Sequence, residues 1–399
     1  MIKELKNSSF RFELLAHLIN ITFAILFIHE NFVRPSDFAQ DYASAYNLVH
    51  SLPIYGDAHR QTVQMLTPFE RADSFHPPAA ALFHVPFIFL EHDSAINLYR
   101  VCSAIFYLLA LHFFLLSAQI RGRANRILCS MSLLWYPLLE GLSMGNVSVW
   151  VGGAILLAVA ALKSNRDISA GMLLGLATSL KLYPLLFLPG LFLMRRQKAA
   201  YVMLLSCVMI YLLTLFYVGE ETLVTYISMV SKKNIDIFVG YPGTISLSAV
   251  VMRIFRANQW AENLINLPVN PEILACVITG GLSLIALVSL KVRNLSLESQ
   301  LALLILTALL ATPVGWSHSL LIIPPAILYV CEKSQISKFD WTAILLLFWP
   351  IIPIYRTVYT SLNSQPLSFG LASLMYIPCL AVLYFYLKLL VRKVFTHEK

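Results

Sequence analysis

The amino-acid sequence predicts an all-α integral membrane protein with many transmembrane helices. Of its 399 residues, 58% are hydrophobic and only 13% are charged, about half the charged fraction of an ordinary soluble domain. Apolar runs recur along the chain, and each approaches the roughly 20 residues that a helix needs to cross the hydrocarbon core. They lie at 12–32, 98–116, 147–162, 201–218, 273–290 and 371–390. Because these runs are continuously apolar rather than alternating, they favour helices over barrel strands.

We expect one membrane domain over residues 1–399, with about 12 transmembrane or half-membrane helices. The first helix is expected at 12–32, an outer loop with partial helices at 33–96, and the remaining membrane helices at 97–391, with a second outer loop at about 219–271. Lys3, Lys6 and Arg11 precede the first run, and no small-residue cleavage site follows it. This pattern indicates a retained helix rather than a signal peptide.

The basic residues indicate how the chain is oriented. The net charge is +8, but lysines and arginines cluster at the ends of apolar runs, which topology explains better than nucleic-acid binding does. Placed in the cytoplasm, the clusters put both termini inside the cell and both long loops outside the inner (plasma) membrane. The clusters are Arg121/Arg123/Arg126, Lys163/Arg166, Arg195/Arg196/Lys198, Lys291/Arg293, Lys333/Lys338 and Arg392/Lys393.

Two stretches are too short for the topology that these clusters require. Two full crossings need about 40 residues, more than the chain offers between Arg126 and Lys163 or between Arg166 and Arg195. We expect half-penetrating hairpins there, with tips near 140–146 and 181–184. Irregular backbone at membrane depth survives only where protein buries it or where it lines a wet cavity.

The first outer loop carries the candidate catalytic acids. Asp37 and Asp41 follow the first helix, among the aromatic residues Phe38 and Tyr42. A carboxylate at the membrane surface can serve as a general base. An ordinary solvated loop with surface acids explains the same composition.

Three further residues are candidates for binding an anionic group. Lys181 lies in an apolar stretch, where a cation can hold phosphate or snorkel to an interface. His318 follows Trp316 and can donate a hydrogen bond to phosphate or sugar, or form a structural pair with that ring. Asn146 lies at the first hairpin tip and is either functional or part of a plain turn. The six cysteines have no metal-ligand spacing, so neither a metal site nor a cofactor is predicted, and dependence on a divalent ion stays open.

A series of short motifs in a fixed order resembles glycosyltransferase family 87, over roughly residues 12–330. The motifs are Asp37-Phe38 with Tyr42, Ile54-Tyr55, His76-Pro77-Pro78, Gly145-Asn146-Val147, Gly171 to Gly175 followed by Lys181-Leu182-Tyr183-Pro184, Ser246-Leu247-Ser248, and Thr312-Pro313 with Trp316-Ser317-His318. His76 and Leu52 replace the tyrosine and the glycine that the family more often has.

The resemblance implies a GT-C fold and a polyprenyl-phosphate-linked sugar, mannose in the family's named members, as the donor bound at the outer face. It implies an acidic catalytic base in the first loop, where Asp37 best matches the family's aspartate, about eighteen residues before Tyr55; Asp41 is the competitor. Tyr55, His76 and three further residues are then expected at the donor phosphate and sugar: Asn146, Lys181 and His318.

The expected reaction moves the sugar to the hydroxyl of a glycan or glycolipid acceptor. A base on the face opposite the leaving group predicts inversion at the anomeric carbon. A secondary transporter or a lipid-linked-sugar flippase is the alternative, because broken helices and an intramembrane lysine also suit transport. The expected partners are the lipid donor, the acceptor and the bilayer, with no nucleic acid.

Overall fold

The computed structural model describes residues 36–68, 74–118, 135–232, 244–258, 260–265, 270–312, 315–332, 337–347, 361–362 and 365–391. Within these ranges the chain is helical and contains no strand beyond two isolated backbone bridges, Thr244 with Trp316 and Ala261 with Leu367. This confirms the predicted all-α class. The predicted first helix at 12–32, both termini, Pro313 and the Arg121/Arg123/Arg126 cluster lie outside the described residues.

The described helices are labelled in chain order. They are α1 Ser36–Val49, α2 Asp57–Leu66, α3 Pro78–His84, α4 His92–Ala118, α5 Tyr136–Met144, α6 Ser148–Lys163, α7 Asp167–Leu180, α8 Phe187–Leu193, α9 Gln197–Val218, α10 Glu220–Lys232, α11 Leu247–Phe255, α12 Pro271–Val292, α13 Leu297–Ala311, α14 Pro324–Glu332, α15 Lys338–Leu346, α16 Phe369–Ser373 and α17 Ile377–Val391. Short 3-10 turns lie at Val85–Phe87, Tyr183–Leu186, Ser317–Ile322 and Leu374–Tyr376.

Three of the described helices, α4, α9 and α12, are long and apolar enough to cross a membrane, with 27, 22 and 22 residues. On α4, large apolar side chains three or four positions apart are exposed, namely Leu98, Val101, Ile105 and Leu109. Residues at this spacing share one helix face. Lipid accommodates such a face, whereas water would oppose its exposure. The described helices therefore form a membrane-embedded protein.

The core is built around α6, which is buried along almost its whole length. α6 packs against α4 and α7, and α7 packs along α9. A Cβ at Gly171 would lie 2.6 Å from the Ala199 carbonyl oxygen, and one at Gly175 would lie 2.5 Å from Ser206 Cβ. These two glycines, four residues apart on α7, let the backbones of α7 and α9 approach closely, as small residues do between membrane helices.

The helices break at both predicted hairpin tips. α5 ends at Met144 and α6 begins at Ser148, while α7 ends at Leu180 just before the Tyr183–Leu186 turn. α6 and α7 have 16 and 14 residues, fewer than the roughly 20 of a full crossing. The breaks place short polar segments between apolar helices.

The N-terminal segment, residues 36–91, is folded into helices in its described part. α1, α2 and the seven-residue α3 occupy most of it. Asn47 on α1 donates to the Pro53 carbonyl oxygen at 2.7 Å and accepts from Thr62 Oγ1 on α2 at 2.6 Å. Asn47 thus joins α1, α2 and their connection into one unit.

The predicted second outer loop, at about 219–271, likewise contains helices in its described part, namely α10 and α11.

Candidate active site

Helix α1 carries both candidate acids. Asp37 and Asp41 lie one helical turn apart, so their side chains leave the same face. Between them Phe38 is fully buried, and its ring lies 5.2 Å from that of Tyr99 on α4 between centroids. Tyr42 donates its hydroxyl to the Leu90 carbonyl oxygen at 2.8 Å. Aromatic packing therefore fixes the side of α1 that faces the protein interior.

Asp37 meets the first helix break. Gly145 ends α5 with a left-handed φ of 64°, and a Cβ there would lie 2.5 Å from Phe38 Cβ. The next residue, Asn146, donates its Nδ2 to Asp37 Oδ2 at 2.6 Å and accepts from the Ser148 backbone N–H at 2.8 Å. The glycine turn thus brings the break against α1, and Asn146 joins the start of α6 to the carboxylate.

Asp41 lies deeper than Asp37, with 1% of its surface exposed. His76 Nδ1 is 2.9 Å from each of its carboxylate oxygens, and His84 Nε2 is 3.8 Å from Oδ2. Burial alone would raise the pKa of Asp41, but the neighbouring charges of His76 and His84, the hydrogen bond from His76 and the charge of Lys181 outweigh burial and lower it. Asp41 is therefore held as a carboxylate between two imidazoles.

Hydrogen bonds that involve backbone carbonyl groups hold the two histidines in place. The Tyr55 hydroxyl donates to the His76 carbonyl oxygen at 2.8 Å, and the Tyr55 ring lies 5.8 Å from that of Tyr226 on α10. His84 Nδ1 donates to the Ala80 carbonyl oxygen at 2.8 Å. Tyr55 therefore acts on the backbone of His76 and leaves its imidazole to Asp41.

Lys181 and His318 meet at the second break. Lys181 follows α7 in an extended conformation, and its Nζ lies 3.4 Å from His318 Nε2. Since an ammonium only donates, His318 Nε2 is the acceptor in this contact. His318 lies in the Ser317–Ile322 turn, buried and stacked on Trp316. Lys181 thus points to a buried partner 137 positions away in the chain, a contact that snorkelling does not require.

One electrostatic cluster joins the two breaks. The charges of Asp37 and Asp41 act on Lys181, and the charge of His76 acts on His318. The structure therefore brings together the residues that sequence reasoning selected from six separate segments of the chain, since Asn146 also contacts Asp37 and Tyr55 contacts His76. A carboxylate pair and a lysine with its histidine face one region, an arrangement suited to deprotonating a hydroxyl and holding an anion.

Comparison with known protein families identifies the chemistry. The profile of glycosyltransferase family 87 matches residues 75–324, well over half of the chain. The chain belongs to glycosyltransferase family 87. The match begins just before His76 and contains Asn146, Lys181 and His318, while α1 with both aspartates precedes it. No individual curated protein matches the chain. The protein is thus a membrane glycosyltransferase, and its matched part is narrower than the 12–330 over which its motifs resemble the family.

Sequence reasoning missed a buried carboxylate in this glycosyltransferase. Glu140 on α5 is buried and accepts a hydrogen bond from the hydroxyl of Ser317, the residue that directly precedes His318. Arg100 from α4 donates to the carbonyl oxygens of Leu142 and Ser143 at 3.2 and 2.6 Å. The signal for Glu140 was present, since an acid inside an apolar run is costly and usually functional. Nothing in the spacing of residues along the sequence indicates that Ser317 is the partner of Glu140.

Within the described ranges, no group of three or more His, Cys, Asp or Glu side chains is arranged to hold a metal ion.

Proposed function

We propose that this glycosyltransferase moves mannose from a polyprenyl-phosphate carrier to a hydroxyl of a glycan or glycolipid acceptor, with inversion, at the outer face of the plasma membrane. The observation that carries the proposal is the cluster in which Lys181 Nζ, 3.4 Å from His318 Nε2, lies within electrostatic range of Asp37 and Asp41. Family membership supports the reaction class. The cluster supports the type of donor.

A sugar on polyprenyl phosphate carries its own leaving group. The enzyme has to stabilise negative charge on the departing phosphate and remove a proton from the acceptor hydroxyl. A lysine beside a buried histidine suits the first task because it supplies a compact cation where water is scarce. In this proposal Lys181 and His318 hold the phosphate.

Asp37 is the proposed base. It is only partly buried, and it accepts hydrogen bonds from the side-chain amides of Asn146 and Gln40. Asp41, the competitor, is 1% exposed and both of its oxygens contact His76. The more accessible carboxylate is better able to reach an acceptor arriving from water. A base opposite the leaving group gives inversion at the anomeric carbon.

The surroundings of Lys181 suit a lipid carrier. Leu182 and Leu185, which follow it, are exposed large apolar residues, and the long exposed faces of α4 and α9 adjoin lipid in a membrane. A polyprenyl chain can lie against such side chains while its phosphate reaches the ammonium. A water-soluble nucleotide-sugar would gain nothing from them.

The test is transfer from purified protein in detergent, supplied with radiolabelled polyprenyl-phosphate mannose and the glycan and glycolipid fraction of the cells that make the protein. We expect the label to move to an acceptor, and Lys181→Ala to weaken donor binding and turnover. Lys291→Ala, which removes an exposed lysine at the end of α12, is the matched control and should behave as wild type.

No transfer by the wild-type protein, together with movement of intact donor across a vesicle membrane, would instead support a flippase. Unchanged donor affinity and turnover in Lys181→Ala would remove the phosphate-binding role from Lys181.

A further inference from the structure

Asp41 and His76 form a pair whose geometry fixes the proton on the ring. A carboxylate only accepts hydrogen bonds, so His76 Nδ1, at 2.9 Å from both oxygens, carries a hydrogen and donates it. The Tyr55 hydroxyl holds the same residue by its carbonyl oxygen at 2.8 Å. With Nδ1 committed to Asp41, the other ring nitrogen, Nε2, is the one that can exchange a proton.

Of Asp41, His76 and His84, only His76 has a side chain that reaches beyond the buried interior. Its side chain is 14% exposed, whereas the side chains of Asp41 and His84 are 1% and 0% exposed. Among the described residues, the titratable groups that interact with His76 include Asp41 on α1, His84 on α3, and His318 in the Ser317–Ile322 turn. The charge of His76 thus acts on His318, the histidine that contacts Lys181.

We propose that His76 is the general acid that protonates the departing phosphate, and that Asp41 is a positioning residue rather than a base. This inference rests on the proposed function and deepens it. Histidine is the side chain that most readily gives and regains a proton near neutral pH. The carboxylate beside Nδ1 orients the ring and fixes which nitrogen carries the hydrogen, as in other carboxylate–histidine pairs.

The proton balance closes with the two roles assigned in this way. The bond between the anomeric carbon and the phosphate oxygen breaks, its electron pair stays on that oxygen, and the Nε2 proton of His76 neutralises it. The acceptor oxygen bonds to the anomeric carbon and its proton passes to Asp37. The step leaves Asp37 protonated and His76 neutral, and a proton transfer through solvent restores both for the next turnover.

The different surroundings of the two aspartates fit this division of labour. Asp37 accepts hydrogen bonds from the neutral amides of Asn146 and Gln40 and is more exposed than Asp41. Asp41 contacts imidazoles instead and is removed from solvent. Two carboxylates in unlike environments commonly take unlike roles in one reaction.

The experiment compares wild type, His76→Gln, His76→Ala and Asp41→Asn for donor binding and for kcat across pH in the transfer assay. Loss of a general acid lowers rates by roughly 10²- to 10⁴-fold. We expect such a loss in kcat for His76→Gln, with donor affinity nearly unchanged and the decline of kcat at high pH abolished. Free imidazole should restore part of the rate of His76→Ala. Asp41→Asn should also lower kcat, because an amide can stabilise the wrong tautomer of the ring.

His50→Gln, a change of an exposed histidine on the turn after α1, is the control and should leave kcat unchanged. If wild type transfers mannose while His76→Gln keeps the wild-type rate, the inference is wrong and the proposed function stands. If added imidazole does not restore His76→Ala, and this variant loses donor affinity in proportion to its rate, His76 is a binding or structural residue. If wild type transfers nothing from this donor, the proposed function itself is wrong.

Discussion

Asn146 links the candidate base to the first helix break. Replacing it distinguishes the effect of its bond to Asp37 from the effect of its bond to the start of α6. Its Nδ2 donates to Asp37 Oδ2 at 2.6 Å, and its Oδ1 accepts from the Ser148 N–H at 2.8 Å. A hydrogen bond to a charged group contributes about 1.5–3 kcal/mol, and an acceptor at a helix start contributes about 1 kcal/mol. Asn146→Ala loses both bonds, whereas Asn146→Ser keeps an acceptor for the helix start and is too short to reach Asp37.

If the bond to Asp37 holds the base in its reactive position, both variants lose that free energy in the transition state. Since about 1.4 kcal/mol corresponds to a tenfold change in rate, transfer should fall roughly ten- to hundredfold in each. The loss of the acceptor at the start of α6 should lower the melting temperature in detergent for Asn146→Ala and much less for Asn146→Ser. Asn97→Ala, an exposed change on α4, is the control.

Full transfer by both variants would show that Asn146 only completes a turn. Equal falls in melting temperature and rate in the two variants would also exclude a role for the bond to Asp37, because the helix start alone would then carry the effect.

Three further predictions concern packing, orientation and pH. Gly175→Ala should cost about 1–3 kcal/mol of stability because its methyl group meets α9, while Gly281→Ala on α12, where a Cβ meets nothing within 4 Å, should not; equal melting temperatures would contradict the packing. A cysteine placed at the exposed Asp57, in a cysteine-free background, should react with an impermeant reagent in intact cells; reaction only after permeabilisation would reverse the orientation. Burial tends to raise the pKa of Asp41, but His76 and the other cations lower it overall. The ionised pair of Asp41 and His76 therefore stabilises the fold at neutral pH, and this stabilisation is lost as pH falls below about 4. Asp41→Asn should lose less melting temperature in acid than wild type does, and an identical acid profile would contradict this.

The sequence predicts the fold class because hydrophobic length and continuity are local properties. α4, α9 and α12 coincide with three of the predicted apolar runs, and the helix breaks at Gly145 and Lys181 lie where two crossings do not fit. The same local reasoning treats α1 as part of a loop. Its aromatic residue Phe38 becomes buried only when α3 and α4 pack against it, so tertiary contacts decide this helix.

The candidate site depends still more on long-range packing. Lys181 and His318 could each be singled out as costly polar residues in apolar surroundings, but nothing local indicates that they meet across 137 positions. The burial of Asp41 between two imidazoles and the pairing of Glu140 with Ser317 likewise arise from separate segments. Residue type selects the candidate groups, and only the fold shows which of them lie together.

In the proposed mechanism, Asp37 removes the acceptor's proton during transfer from polyprenyl-phosphate mannose. The most direct measurement is the single-turnover rate of mannose transfer by Asp37→Asn beside wild type, with donor binding measured in the same detergent preparation. Asp57→Asn, in which an exposed aspartate of the same segment is changed, is the matched control. We expect a fall of roughly 10²- to 10⁴-fold for Asp37→Asn with donor binding retained, and wild-type behaviour for the control. Normal transfer by Asp37→Asn would show that Asp37 is not the base, and if Asp41→Asn were then inactive even with added imidazole, the base would be Asp41.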